Sequence, residues 1–469
     1  MAPGRSRRSR GTWLAGVTLL TSSILIIALA HHGFSGDVLM DIANGRFILA
    51  HGYVPLRNVM TQAMYGHPWS NSEWLFGVIV AEIYDHFGPQ GLVWGPAPVL
   101  VATSFLIALL VQRAGQLWGL VLAVVTAFSL TMAMAPRPQL FSYLFFAFGI
   151  WAVLRHRKGV EWPLVAFVVA VVPLWANLHA SVFLAPVLLA AEAFFGRRRD
   201  LIWLTLASLA LSFAHPGGVA TSGSFLASIF SPGVVNRIQE WGSLNLLQAG
   251  SWLMAPIVLV ALLYTVRRAS RRGDETGSMW TLAWLVATAI SARFAPYLSL
   301  TVLAVTAPLV PLRLRRIERT AGRMGTAALL AVPLVFGSFS VAAAMSVTMQ
   351  VTQPVGAFAY LREHHATDVL PFYSLGNDMD LYGPRPFLDS RAELWTHAPW
   401  WRDYVKANLG FVSPVAFVAR WDPSARYVVW PLHYPGSRSL LRSPRWHLVF
   451  VDRAPDGTIG GFRRVGEGA

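Results

Sequence analysis

The stretch Gly36–Leu75 reads GDVLMDIANGRFILAHGYVPLRNVMTQAMYGHPWSNSEWL and places a dense polar segment, Asp37 to Trp74, directly after an apolar run. That run extends from about Trp13 to Ala30 and follows a basic tip with Arg5, Arg7, Arg8 and Arg10. Since basic flanks stay in the cytoplasm, the pattern predicts a cytoplasmic N-terminus and an external Asp37. Acidic groups just beyond a span either only keep a loop solvated or belong to the active site of a membrane enzyme.

The composition is that of a polytopic membrane protein. Of 469 residues, 55% are hydrophobic and only 13% are charged, against about a quarter in soluble domains. The net charge of +15 comes from short basic clusters between apolar runs, which act as topology signals, so we expect no nucleic-acid partner. Cysteine is absent, and no His pair has zinc-type spacing with an intervening Glu, so we predict no metal site and no cofactor.

Apolar stretches long enough to cross a bilayer recur along the first 350 residues and predict about eleven transmembrane helices. They lie near 13–31, 91–112, 117–135, 139–154, 162–176, 180–196, 201–215, 251–266, 279–292, 297–312 and 324–346. If these spans alternate, the basic clusters at 113, 155–158, 197–199, 267–272 and 313–319 all fall on one side, the cytoplasm. That arrangement requires Glu73 to Gly88 not to cross, so we predict an in-plane or re-entrant helix there.

We therefore expect an all-α transmembrane domain over residues 1–350, with an outer loop at 32–89. From about Gln353 the composition becomes that of a soluble protein. Short apolar runs at Val369 to Leu375, Tyr427 to Trp430 and Trp446 to Val451 are separated by Pro and Gly turns. Residues 351–469 are predicted to form a small external α/β domain.

Two carboxylates in the outer loop are candidate catalytic groups. Asp37 and Asp41 are four residues apart, so a helix starting near Gly36 would place both on one face. A carboxylate at a partly desolvated interface can act as a general base toward an acceptor hydroxyl. The alternative is that Asp37 simply caps the helix.

Six further polar residues at the predicted outer face are candidate substrate ligands. Each has a structural alternative: a helix start for the Glu, lipid headgroup contact for the first Arg, and hydrogen bonds between helices for the others. An isolated guanidinium between two prolines could instead hold a phosphate bidentately. The six are Glu73, Arg137, Asn177, His179, His215 and Arg293.

The order of several short motifs resembles that of bacterial membrane-embedded C-type (GT-C) glycosyltransferases, similar to rhizobial lipopolysaccharide glycosyltransferases and protein O-mannosyltransferases. The likeness covers nearly the whole chain, and it departs from the family pattern at Asp41, Asn58 and His215. In chain order the matching motifs are Asp37, a helix ending in Gly within Gly45–Leu49, Gly52–Pro55, Gly66–Leu75, Arg137–Gln139, Asn177–Ser181, Glu240–Trp241 and Phe387–Arg391.

The resemblance implies an inverting glycosyltransferase of the bacterial plasma membrane. The donor would be a sugar linked to polyprenyl phosphate, and the acceptor an envelope glycan, lipid or protein on the outer face, with membrane lipids as surroundings. Asp37 would be the base, helped or replaced by Asp41, and Arg137, His179 and Arg293 would hold the leaving phosphate. The rival functions are a transporter or flippase of lipid-linked sugars and a non-catalytic membrane scaffold.

Overall fold

The structure, a computed structural model, describes residues 3–32, 36–220, 242–247, 251–269, 275–310, 354–395, 398–454 and 457–465. Predicted features at Glu240–Trp241, 313–319 and 324–346 lie outside these ranges. The described helices, in chain order, are α1 (Pro3–His32), α2 (Gly36–His51), α3 (Trp74–Trp94), α4 (Ala97–Val111), α5 (Gln116–Leu130), α6 (Gln139–His156), α7 (Trp162–Ala166), α8 (Val172–Leu178), α9 (Leu184–Phe195), α10 (Ile202–Leu211), α11 (Ala255–Ala269), α12 (Glu275–Ile290), α13 (Ala295–Thr306), α14 (Val355–Glu363), α15 (Gly376–Tyr382), α16 (Ala392–Trp395), α17 (Trp401–Asn408), α18 (Pro414–Trp421) and α19 (Ser437–Arg442).

The chain divides into two compact units. The helical unit contains the described residues within 3–32, 87–218 and 242–310, and the sheet unit those within 36–86, 219–220 and 354–465. The outer loop, which we assigned to the transmembrane domain, therefore groups with the C-terminal segment instead. The reason is direct bonding: the backbone N–H groups of Gln62 and Ala63 donate to the carbonyls of Pro386 and Phe387, both at 2.9 Å.

Among the described residues, four helical stretches are long and apolar enough to cross a membrane: Arg10–His31, Trp74–Ala114, Gln116–Ala133 and Ala292–Leu309. Shorter apolar helices occupy Trp162–Leu178, Ala180–Phe195 and Ser251–Arg267. In the helical unit, α1 packs against α4 and α5, and α13 against α5, α11 and α12. The described residues are thus mostly helical with four candidate spans, and the prediction of about eleven stays a prediction for the others.

The segment predicted not to cross forms the first part of α3. Gly88 interrupts this helix with φ 63° and ψ −160°, a backbone conformation open to glycine but strained for other residues. Pro89 follows and cannot donate to the preceding turn. The boundary between the two units falls at 86/87, next to this kink. The in-plane orientation of the segment remains a prediction.

The sheet unit contains a four-stranded mixed sheet in the order β1-β2-β4-β3, formed by β1 (Val369–Pro371), β2 (Tyr427–Pro431), β3 (Trp446–Ala454) and β4 (Gly457–Arg464). β1 pairs in parallel with β2, with Val369 opposite Tyr427, and the other pairings are antiparallel. All five residues of β2 are buried, which explains its continuous apolar sequence. The three predicted apolar runs thus coincide with β1, β2 and β3.

The fourth strand was not predicted, because its sequence GTIGGFRR lacks the usual strand composition. Its glycines have a packing role: a Cβ on Gly461 would lie 2.0 Å from the Phe450 ring of β3. Glycine here allows close approach of a neighbouring side chain. The core of the sheet unit holds Trp395, Tyr404, Phe358 and Trp430, and also includes Ala63 and Trp69 from the outer loop.

Candidate functional site

The predicted helix at Gly36 is present as α2, and its start lies against α15. Asp37 is partly exposed and Asp41 is buried at 3% exposure. The helix does not end at Gly45, as the resemblance implied, but continues to His51, and Gly52 follows with φ 73°. Gly45 is instead where α2 touches α3: a Cβ there would lie 2.0 Å from the Gly77 carbonyl oxygen.

Asp37 meets a residue 353 positions later in the chain. The Ser390 hydroxyl donates to Asp37 Oδ1 at 2.9 Å. Ser390 is itself held on three sides: Asn377 Nδ2 donates to its hydroxyl oxygen at 2.8 Å, its N–H donates to Asn377 Oδ1 at 2.9 Å, and the Tyr373 hydroxyl donates to its carbonyl at 2.9 Å. Because the serine is fixed, its single proton is directed at the Asp37 carboxylate.

The residues on either side of Ser390 form a buried ion pair. Asp389 is 0% exposed and Arg391 3%, and the Arg391 Nε donates to Asp389 Oδ2 at 2.7 Å. Arg391 Nη2 also donates to Asn58 Oδ1 at 3.0 Å, and the guanidinium lies 4.4 Å from the centre of the Trp69 ring. Through these contacts of Arg391, the ion pair links the outer loop to the segment that carries Ser390.

Asn58 stands where members of the resembled family often have Asp, and its contacts require an amide. Its Nδ2 donates to Thr61 Oγ1 at 2.8 Å and to the Ala63 carbonyl at 2.9 Å, while its Oδ1 accepts from Arg391. A carboxylate has no hydrogens for the two donations. Asn58 is fully buried, so with Asp there the Ala63 carbonyl would keep the donation from Thr61 Oγ1 at 3.2 Å but lose the shorter one from the amide inside the protein.

A second carboxyl group lies beside Asp389. Both carboxyl oxygens of Asp380 are buried, and desolvation together with the charge of Asp389 raises the pKa of Asp380 well above its usual range. A protonated Asp380 can donate to the Asp389 carboxylate, which explains how two acidic groups share a buried site with one arginine. Asn377, Asp380 and Tyr373 were missed by the sequence analysis. The polar run Asn377-Asp378-Met379-Asp380 soon after an apolar strand was the available signal.

The sheet unit also contains Glu73, a predicted substrate ligand, and three buried tryptophans. Glu73 precedes α3, and its carbonyl accepts the N–H of Gly77 at 3.0 Å, so its backbone starts the helix as the structural alternative proposed. The tryptophans at 395, 400 and 401 are all buried in the core, at 0%, 8% and 6% exposure. Within the described residues they therefore pack the unit and do not face solvent.

The helical unit carries the remaining candidates, centred on His179. This residue is 5% exposed and lies between α8 and the next helical turn, after a π-helical segment at Phe167–Val171. Its Nδ1 lies 2.9 Å from Ser142 Oγ and 2.6 Å from Ser181 Oγ. The backbone N–H of Ser181 also donates to Nδ1 at 3.3 Å, which places the proton of the neutral ring on Nε2.

The other candidates of the helical unit are Arg293, Asn177, His215 and Arg137. Arg293 lies close enough for its charge to act on the imidazole. Asn177 Nδ2 donates to the carbonyls of Pro173 at 2.8 Å and Ala214 at 2.7 Å, which joins α8 to the residue before His215. Asn177 thus makes the structural hydrogen bonds weighed as its alternative. Arg137, partly exposed, lies in the turn before α6, the helix that carries Ser142.

The site residues therefore form two groups, each within one unit. Asp37, Asp41 and Glu73 belong to the sheet unit, and Arg137, Asn177, His179, His215 and Arg293 to the helical unit. In the described ranges, no three or more His, Asp or Glu side chains are arranged to hold a metal ion. No model of a known protein family matches the chain, and no curated protein matches it either.

Proposed function

We propose that this chain is an inverting, multi-span membrane glycosyltransferase of the C-type, which moves a sugar from a polyprenyl-phosphate donor to a hydroxyl-bearing acceptor. The observation that carries the proposal is the hydrogen bond between Ser390 and Asp37. Two motifs of the resembled family, the first-loop acid and the Phe387–Arg391 step, meet in one compact unit although far apart in sequence. That meeting is what a shared catalytic role for the two segments requires.

Asp37 is the proposed general base. It takes the proton of the acceptor hydroxyl, the acceptor oxygen attacks the anomeric carbon, and the bond between that carbon and the phosphate oxygen breaks. Polyprenyl phosphate leaves with the bonding electron pair, and attack from the opposite face inverts the configuration. Asp37 is partly exposed and can meet an acceptor, whereas Asp41 is buried, so we assign the base to Asp37 alone.

Ser390 is proposed to position the base. Its hydroxyl donates to Asp37 Oδ1 and holds the carboxylate in one orientation. Arg137 and Arg293 are proposed to bind the donor phosphate, because guanidinium groups match phosphate oxygens in a bidentate geometry. His179 is buried and its Nδ1 is engaged by two serines, which favours a role in holding its surroundings.

The proposed location is the bacterial plasma membrane, with the N-terminus in the cytoplasm and the C-terminal segment outside. The outer loop and the C-terminal segment share one compact unit, which supports placing both on one side of the membrane. An even number of crossings must then separate residue 86 from residue 354. The eleven-span arrangement has ten there, whereas the candidate spans within 87–114, 116–133 and 292–309 make three. An even number therefore needs at least one crossing more than these three, as the eleven-span prediction supposes.

Mass analysis of envelope glycans in a deletion strain tests the proposal. A glycan should lose one sugar in the deletion strain and regain it with the wild-type gene or with Asp85→Asn, an exposed acid of the same unit. Asp37→Asn should not restore it. A flippase or scaffold would instead be indicated by restoration with Asp37→Asn, because neither function needs a base at that position.

A further inference from the structure

The helical unit contains a cavity of about 530 Å³ lined by four basic side chains: Arg10, Arg113, Arg155 and Lys158. We call it the basic cavity. It lies where several helices begin or end, since α4 ends at Val111, α5 begins at Gln116 and α6 ends at His156. Two of these helices end here and one begins, so helix dipoles do not decide the sign of the potential; the four side-chain charges do.

No acidic residue is among the described residues that line the cavity. Its other walls are apolar or aromatic and include Trp13, Trp151 and Leu154. Concentrated positive charge beside apolar walls suits a ligand with an anionic group and an apolar body. The volume also falls within the range of about 300–1,000 Å³ that is usual for ligand pockets.

Arg155 gives a second, independent reason to expect a ligand. Its Nε is buried and has no hydrogen-bond partner among the described residues, while its guanidinium lies 6.0 Å from the Trp151 ring. A buried, unsatisfied donor on a charged group is costly. Basic residues that serve only as topology signals stay hydrated, so ordinary solvation does not account for this arginine.

We propose that the basic cavity binds the phosphate-bearing headgroup of an anionic phospholipid. Basic pockets between transmembrane helices at the cytoplasmic side bind such headgroups, and the proposed topology puts this end of the unit on that side. The phosphate would accept from Arg155 Nε and its neighbours, and the apolar walls would take the start of the acyl chains. Inorganic phosphate could bind the basic side chains, but it would leave the apolar walls without a ligand contact.

Native mass spectrometry of the purified full chain can test this with phosphatidylglycerol and phosphatidylcholine of matched acyl chains. We expect the chain to retain phosphatidylglycerol about tenfold better than phosphatidylcholine. The double variant Arg113→Gln/Arg155→Gln should lose most of that preference, whereas Arg199→Gln should keep it. Arg199 is an exposed arginine outside the cavity, so it controls for the loss of a positive charge elsewhere on the chain.

Equal retention of the two lipids, or an unchanged preference in the double variant, would overturn the proposal. Displacement of phosphatidylglycerol by an equal concentration of inorganic phosphate would also overturn it, by showing that the ligand is soluble. If the double variant does not fold, Lys158→Gln, an exposed position, should still weaken phosphatidylglycerol binding about fivefold. No change in that variant would contradict the assignment. Because the readout is lipid binding, a negative result leaves the proposed glycosyl transfer standing.

Discussion

At the scale of single residues, the neighbouring acids Asp389 and Asp380 have different roles. Asp389 balances the buried charge of Arg391, so Asp389→Asn should destabilise the protein by about 3–5 kcal/mol, the usual cost of removing one partner of a buried pair. The pKa of the buried Asp380 is raised well above its usual range, so Asp380→Asn, nearly isosteric with the protonated acid, should cost less than about 1 kcal/mol. Thermal unfolding of the two purified variants measures the difference, and equal destabilisation would contradict the assignment of charge.

Asp422 should make stability depend on pH. It is 4% exposed, its Oδ2 has no hydrogen-bond partner among the described residues, and burial raises its pKa from 3.8 to about 6. The folded state therefore holds a proton that the unfolded state releases, so stability falls as pH rises from 3.8 through about 6.

Asp422→Asn should remove that loss. At about pH 8 the variant should be more stable than wild type by roughly 1–3 kcal/mol, and at about pH 4 the difference should nearly vanish. Thermal midpoints of wild type and variant across this pH range make the comparison. A constant difference at all pH values would show that Asp422 does not titrate in the way described.

At the scale of elements, α2 and α3 pack through glycines. Gly45→Ala would place its Cβ 2.0 Å from the Gly77 carbonyl oxygen, and a backbone atom cannot move aside cheaply. We expect a loss of about 1–3 kcal/mol or more, with weaker Asp37 function because α2 carries that residue. Gly11→Ala is the matched control: it lies in α1 with nothing within 4 Å, so it should be neutral or slightly stabilising. Similar unfolding midpoints for the two variants would contradict this close packing.

The sequence predicted a helix from Gly36 on which Asp37 and Asp41 would share one face, and it predicted β1 to β3 because their apolar runs are local signals. It could not predict β4, whose glycines make sense only once Phe450 lies against them. It also could not pair Ser390 with Asp37, or Arg391 with Asn58. Such contacts join residues that are far apart in the chain, and neither hydrophobic periodicity nor residue spacing predicts them.

At the scale of the whole molecule, the sharing of one unit by the outer loop and the C-terminal segment predicts their exposure on the same side of the membrane. The chain has no cysteine, so single cysteines can be labelled in intact cells with an impermeant thiol reagent. Tyr53→Cys and Ser424→Cys, both exposed, should be labelled, and Arg199→Cys should not. Asn58 is too deeply buried for such a probe. Labelling of only one of the first two would contradict a shared side.

The central claim is that Asp37 is the base of a glycosyl transfer, and the rate of polyprenyl phosphate release by the purified chain tests it most directly. With a polyprenyl-phosphate sugar and extracted envelope acceptor, Asp37→Asn should reduce the rate by roughly 10²–10⁴-fold, as expected for loss of a general base. The substitution keeps an oxygen that can accept from Ser390, so the local fold should persist. Asp85→Asn should retain the wild-type rate. An Asp37→Asn rate within about twofold of wild type would contradict the account.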